Sequence, residues 1–560
     1  MNLHPTKGTV GPGRFLWVAA AIVAVAAAIL PAQGAAARNR TDLESAHVQL
    51  ADHTLRVRGT EADDRIALRL AADNPAVVQV DLGDNGSADF SFPRAAIESI
   101  SVKTHGGNDR VRIDDTNGPF TTAIPTRIDG GPGDDTIAGG AGPETLDGGP
   151  GNDTIDDNGG KDVSDLGAGD DIFVWDPGDG SDTIEGNDGS DTMVFNGAAA
   201  SETVDLSANG ARLRFFRSPA NITMDTHGVE QVDFNALGGA DTVTVNDLSA
   251  TDVKNVDVDL AGTLGGVTGD GQADRVTVIG TPVHDAIAAA GDASGITVSG
   301  LATQVAIQHQ ESLDQLFILG VGGDDAISAT GLAAGAASEF LEGGDGSDTI
   351  AGGPGAETLL GGDGSDSIDG NGGSDQAGLG AGDDTFVWDP GDGSDTIEGN
   401  DGRDSLVFNG AAASETVDLS ANGDRLRFFR NPGNITMDTG GVERAVFNAL
   451  GGADNVTVND LTGTDVTSVD LDLAGALGGT TGDGQTDHVV VNGTAGDDAA
   501  TVAGGAGEVS VTGLAPTLEL LHAETTDQLD FENFEAGDTV ASGGLAADTI
   551  QLFLDGSLIP

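Results

Sequence analysis

The stretch Gly130-Gly131-Pro132-Gly133-Asp134-Asp135-Thr136-Ile137-Ala138 runs directly into Gly139-Gly140-Ala141-Gly142-Pro143-Glu144-Thr145-Leu146-Asp147. Gly148-Gly149-Pro150-Gly151-Asn152-Asp153-Thr154-Ile155-Asp156 follows. Each nine-residue unit opens on glycines, carries an acid at position six and places an apolar residue at position eight. Glycine tolerates positive φ, so six residues can close a tight turn with its carbonyls pointing inward. The last three then form a short strand that sends Ile137, Leu146 or Ile155 into a narrow core. The sixth-position acids continue as Asp135, Glu144, Asp153, Asp162 and Asp171. After an insertion at Trp175-Asp176-Pro177 come Asp182 and Asp191.

Outward from this stretch the chain repeats itself. Phe173-Val174-Trp175-Asp176-Pro177-Gly178-Asp179-Gly180-Ser181-Asp182 returns 213 residues later as Phe386 to Asp395, and Asp314-Gln315-Leu316 returns at the same offset as Asp527-Gln528-Leu529. One copy covers residues 127–340 and the second 341–553, after a partial relative of the module in 38–126. Within each copy a Gly- and Asp-rich part (127–197 and 341–410) precedes a part with longer alternating runs (198–340 and 411–560). Arg212-Leu213-Arg214-Phe215-Phe216 is one such run, with the period of two that marks a strand. The reading is an all-β chain: parallel β-roll or β-solenoid segments with additional β-rich repeat regions. If the longer parts also coil, about 18 residues per coil and ~4.8 Å per layer give a length on the order of 140 Å.

Two nonapeptides per coil would stack Asp135, Asp153 and Asp171 on one side and Glu144 with Asp162 on the other. Bare carboxylates ~4.8 Å apart repel, and a divalent cation between them relieves it. Calcium takes six to eight oxygen ligands, of the carboxylate and carbonyl kinds offered here. The second copy repeats the series as Asp348, Glu357, Asp366, Asp375, Asp384, Asp395 and Asp404.

These units resemble the repeats-in-toxin (RTX) family of calcium-binding β-roll proteins. The resemblance implies several Ca2+ ions between successive turns, held by acidic carboxylates and glycine carbonyls, with binding that drives folding. In the first copy the implied ligand turns comprise Gly130, Gly131 and Gly133 with Asp135; Gly139, Gly140 and Gly142 with Glu144; and Gly148, Gly149 and Gly151 with Asp153. Asp162, Gly169 with Asp171, Asp182 and Asp191 complete that set. In the second copy they comprise Gly343, Gly344 and Gly346 with Asp348; Gly352, Gly353 and Gly355 with Glu357; and Gly361, Gly362 and Gly364 with Asp366. Asp375, Gly382 with Asp384, Asp395 and Asp404 follow. The chain departs from the family pattern where Glu144 and Glu357 replace Asp and where Asp157-Asn158-Gly159-Gly160 lacks the leading glycine pair. Isolated variants such as Gly106-Gly107-Asn108-Asp109, Gly238-Gly239-Ala240-Asp241 and Gly451-Gly452-Ala453-Asp454 lack stacked neighbours in sequence and read as plain turns. Gly269-Asp270-Gly271-Gln272-Ala273-Asp274 and its counterpart Gly482 to Asp487 read in the first place as turns, with one further ion site each as the alternative.

Composition agrees with a cation-dependent chain. Asp and Glu number 91 against 24 Lys and Arg, for a formal charge of −67. Such self-repulsion opposes a compact state, and nucleic acid is excluded as a partner for want of clustered basic residues. Cysteine is absent, so no disulfide can brace an exported chain. Residues 1–37 read as a signal peptide: Lys7 and Arg14, an apolar run from Phe15 to Leu30, then Pro31 and Ala35-Ala36-Ala37. An uncleaved anchor is the alternative for this run; no second span follows it, and the expectation is that the processed chain is not an integral membrane protein. RTX-like proteins usually leave through a type I exporter read from the C-terminus, and an N-terminal signal departs from that.

Catalytic motifs are missing. There is no His-Glu-x-x-His, no Gly-x-Ser-x-Gly, and the glycine stretches lead into strands instead of phosphate-binding helices. His309-x-Glu311-x-x-Asp314 and His522-x-Glu524-x-x-Asp527 match between copies and read as solvated strand edges, with a second metal or acid/base site as the alternative. Trp175 and Trp388 read as cover for a solenoid core in preference to sugar platforms. The expected function is a secreted, calcium-binding structural, surface or adhesion repeat protein that folds on binding calcium. It would be extracellular or cell-surface associated, with a cell-surface or polysaccharide partner left open. The alternative is a secreted RTX-type hydrolase, lyase or epimerase that uses the repeats for export and folding; the expectation here is no enzyme.

Overall fold

A computed structural model describes residues 46–535, 537–546 and 549–559. The signal-peptide reading of residues 1–37 lies outside the described residues. Within them the architecture is a two-sheet solenoid. Successive roll strands alternate between the sheets, because each nonapeptide turn reverses the chain after a short strand.

In the first roll Glu144–Pro150 pairs in parallel with Thr126–Asp129 on one side and Val163–Ala168 on the other. In the second sheet Thr154–Asp156 sits between Thr136–Ala138 and Ile172–Trp175, with Ile155 opposite Ile137 and Phe173. The period-two alternation puts Ile137, Leu146, Ile155 and Phe173 into the interior, each no more than 1% exposed. A single apolar cluster threads the described chain from Leu55 to Leu552.

The longer-run regions continue the same two sheets without a break. The chain reaches them through antiparallel meanders: Thr203–Asn209, Arg212–Ser218 and Ile222–His227 form one, with its outer strands pairing in parallel to Thr242–Val245 and Thr183–Asp188. A two-residue turn with Gly210 at positive φ closes its first hairpin. Ala286–Asp292, Gly295–Ser299 and Gln304–Gln308 make the equivalent meander in the opposite sheet. Both recur in the second copy. The first sheet holds 25 strands, which at ~4.8 Å each corresponds to about 115 Å. That is shorter than the 140 Å expected, because coils carrying a meander consume twice the residues of a nonapeptide coil. The second sheet is also an open ladder, from Phe90–Pro93 to Thr539–Leu545.

Trp175 is fully buried mid-solenoid, stacked on Phe195 at 3.9 Å, with Phe215 next at 4.3 Å. Trp388, Phe408 and Phe428 repeat the stack. Both tryptophans are core residues, and sugar stacking is closed to them. Helix among the described residues amounts to three single 3-10 turns, and none is long and apolar enough to cross a membrane.

Candidate metal centre

The residue just before each short strand is the ladder acid. Its place is fixed by the strand that follows, so acids one coil apart fall into register. The Asp135 backbone N–H donates to Asp153 Oδ1 at 2.7 Å, Asp153 N–H to Asp171 Oδ1 at 2.6 Å, and Asp171 N–H to Asp191 Oδ1 at 2.9 Å. On the opposite edge Glu144 N–H donates to Asp162, and Asp162 N–H to Asp182. The second copy repeats both columns, through Asp348, Asp366, Asp384 and Asp404 on one edge and Glu357, Asp375 and Asp395 on the other. The stacking expected from the eighteen-residue period is therefore present. The insertions after Trp175 and Trp388 are absorbed in wider loops, and Asp182, Asp191, Asp395 and Asp404 stay in line.

Each of these acids is at most 3% exposed. One oxygen is satisfied by a backbone N–H, from the neighbouring coil for the aspartates and from their own turn for Glu144 and Glu357, while every one of them leaves its second oxygen buried without a hydrogen-bond partner. A buried carboxylate so treated is costly unless something positive meets it. Burial raises these carboxyls accordingly, Asp153 and Asp162 to about 8 and Asp135 and Asp395 to about 7, with neighbouring acids in the column adding to the rise.

The glycines divide into two kinds. Gly131 and Gly133 stand at φ 92° and 135°, and Gly344 and Gly346 at 112° and 141°, as the tight turn requires. Gly149, Gly151, Gly169, Gly362, Gly364 and Gly382 share that region. The leading glycine is needed for space instead. A Cβ on Gly148 would lie 2.5 Å from Asp153 Oδ2 and overlap the Leu166 carbonyl, and Gly130, Gly343 and Gly361 are crowded in the same way by Asp135, Asp348 and Asp366. The orphaned oxygens thus face small pockets walled by glycine backbone, and the Gly131 and Gly133 carbonyls point at Gly149 and Gly151 of the next coil. A hard cation fits this donor set.

The glutamate turns correct one expectation. Gly140, Gly142, Gly353 and Gly355 do not adopt positive φ, because the longer side chain reaches back: Glu144 Oε2 accepts from the Gly140 N–H at 3.0 Å and Glu357 Oε2 from Gly353 at 3.2 Å. Gly139 and Gly352 lie against the backbone of Asp157 and Gly370 in the next coil.

The isolated Gly-Asp turns are a second correction, since they do have stacked neighbours. Asp109 N–H donates to Asp135, and Asp64 N–H to Asp109. Asp241 lies between Glu202 and Asp274, and Asp454 between Glu415 and Asp487. Sequence spacing hid this, because the intervening coils carry meanders of varied length. The usable signal was a Gly-Gly pair, then an acid directly before a strand. Position five adds an exposed outer column that sequence reasoning missed, in which Asn152 N–H donates to Asp134 Oδ1 and Asp170 N–H to Asn152 Oδ1.

The Gly269 to Asp274 loop is tied to its neighbours, with Asp270 accepting from Gly239 and Gln272 and Glu311 accepting from Gly271. His309 Nδ1 pairs with Asp259 at 2.6 Å, while Asp314 accepts from Asp274 and Glu311. His309, Glu311 and Asp314 therefore serve three separate contacts that fix loops, and His522 repeats its part with Asp472.

The family model described as the RTX calcium-binding nonapeptide repeat (4 copies) matches the chain at residues 127–143, 139–173, 178–197, 334–366, 351–386 and 390–410. No curated protein matches the chain. The matched residues coincide with the two rolls and their paired acid columns.

Proposed function

From a chain that carries RTX calcium-binding nonapeptide repeats in both of its copies, we propose a secreted structural or adhesive solenoid whose rolls fold when calcium enters the acid columns. The observation that carries this reading is the series of buried carboxylate oxygens without partners, from Asp135 to Asp191 and from Asp348 to Asp404. Those residues and the glycine carbonyls beside them would hold the ions. Bound calcium supplies the positive charge that lets the acidic turns lie against one another.

The chain's own residues do the rest. Backbone N–H groups orient each carboxylate, and the leading glycines keep the pocket open. Extracellular calcium modules bind at about 10⁻⁴–10⁻³ M, so the chain stays extended in calcium-poor cytosol and folds outside the cell. A structural role is favoured over catalysis because duplication extends through nearly all the sequence outside the rolls. The matching His309 and His522 elements serve as struts.

The test is a far-UV circular dichroism titration with calcium, paired with ion counting by native mass spectrometry before and after EDTA. Gain of β signal together with uptake of several ions is expected. Equal β content in chelator, with no ion detected, refutes the proposal. Turnover of a polysaccharide, ester or peptide substrate would overturn its non-enzymatic part.

A further inference from the structure

One acidic cluster differs between the two copies in a way the repeat pattern does not explain. Asp157 occupies a position where the second copy has Gly370, and Ser164 stands where it has Ala377. Ser164 lies in the inward-facing column of the first sheet, between Leu146 and Ile184, and both Ser164 and Asp157 are fully buried. A hydroxyl and a carboxylate placed in an apolar core are costly unless something there compensates. The Ser164 hydroxyl donates to Asp157 Oδ2 at 3.2 Å. This leaves Asp157 Oδ1 without a partner, as are Asp162 Oδ2 and Asp182 Oδ2.

Asp157, Asp162 and Asp182 each offer a carboxylate oxygen within 4.8 Å of the other two. Oxygens bound to one calcium at 2.3–2.6 Å lie no more than about 5 Å apart. Beside them Gly160 completes a cradle: a Cβ there would fall 2.6 Å from Asp162 Oδ2 and 2.7 Å from the Gly142 carbonyl oxygen.

We propose that Asp157, Asp162 and Asp182 form a three-carboxylate divalent-cation site peculiar to the first copy, with Ser164 as the residue that positions Asp157. The proposal rests on the calcium reading of the acid columns and adds a ligand and an asymmetry to it. A third carboxylate raises the local charge, so this site fills at lower free calcium than its counterpart at Asp375 and Asp395.

Trp175 gives the site its own reporter, since its Nε1 donates to the Gly180 carbonyl two residues before Asp182. The experiment uses the full chain in a Trp17→Phe, Trp388→Phe background, which leaves Trp175 as the one indole. It reads indole-sensitised Tb3+ emission and, at limiting free calcium, the ion count by native mass spectrometry. Asp157→Gly installs the residue that the second copy already accommodates, and Asp157→Asn keeps the size while removing the charge. Either variant should hold one tight ion fewer, with the Tb3+ midpoint moved on the order of tenfold or more. Ser164→Ala should move it by a smaller factor. Unchanged midpoints and ion counts in both Asp157 variants overturn this proposal and leave the columns' calcium reading standing. An unmodified protein that takes up no ion sinks both.

Discussion

Removing the metal should leave a protein whose folding is controlled by protons. Asp153 shows the size of the effect. Burial raises its carboxyl from 3.8 to about 8, so the metal-free folded state binds a proton that the unfolded chain releases. A folded pKa raised above the unfolded value gives stability that is full below pH 4 and lost as pH climbs through 8. At pH 7 the unfolded carboxyl is ionised by roughly three pH units beyond its midpoint, which at 1.36 kcal/mol per unit is on the order of 4 kcal/mol. At pH 5 the same penalty falls to about 2 kcal/mol. Asp162 contributes comparably. Neighbours in a column titrate together, so these figures do not simply add. Even a few such sites match the ~5–15 kcal/mol that holds a typical domain. In EDTA the chain should therefore lack β signal at pH 7.5 and gain it on acidification to pH 5, stopping short of the isoelectric point near 4.1, where net charge vanishes and association competes. The assay is far-UV circular dichroism with sedimentation velocity at each pH, with and without calcium. Chelated protein that is folded at both pH values, or unfolded at both, refutes the claim that uncompensated buried charge is what opposes folding.

Further outcomes separate the parts of the site. Asp153→Asn removes the charge and keeps an oxygen for the Asp135 N–H, so chelated protein at pH 7 should need less acidification to fold while its calcium uptake drops; a parallel loss of both would count against the electrostatic account. Gly148→Ala drives a methyl into the Leu166 carbonyl and the Asp153 carboxylate and should cost ~1–3 kcal/mol or more with loss of an ion. Gly543→Ala, with open space around it, should be neutral in the same denaturant melts. Arg217→Ala strands the buried Glu202 carboxylate and should cost about 3–5 kcal/mol whether or not calcium is present. A calcium-dependent cost would show that an ion can take the place of the guanidinium.

The rolls were legible in sequence because every physical requirement there maps to a residue type at a fixed interval. A turn glycine such as Gly131, a ladder acid such as Asp153 and a core residue such as Ile155 recur with the coil. The period of eighteen thus gave Asp153 as a stacking partner of Asp135, but not Asp109 on its other side, 26 residues away. Outside the rolls the same device persists with the interval removed. Asp241 reaches Asp274 across 33 residues and Asp274 reaches Asp314 across 40, so no fixed period can find them. The inward turn of Asp157 was likewise hidden, since its meaning depends on Ser164, which faces the core only once the sheet register is known.

The two kinds of region balance their charge by different means. Where the column reaches Glu202, Arg217 Nε donates to Glu202 Oε1 at 2.7 Å, and the same guanidinium lies over the Trp175 ring. Arg430, Glu415 and Trp388 repeat this in the second copy. The junctions therefore carry a built-in cation on Glu202 Oε1 and Glu415 Oε1, although the second oxygen of each stays without a partner, whereas the roll acids from Asp135 to Asp191 have no guanidinium on either oxygen. With only 24 basic residues against 91 acids, the chain places guanidinium groups at the junctions. It leaves the roll acids without a basic side chain of the protein's own. On the proposed calcium reading, a change in free calcium would act on the rolls before it acts on the arginine-clamped junctions.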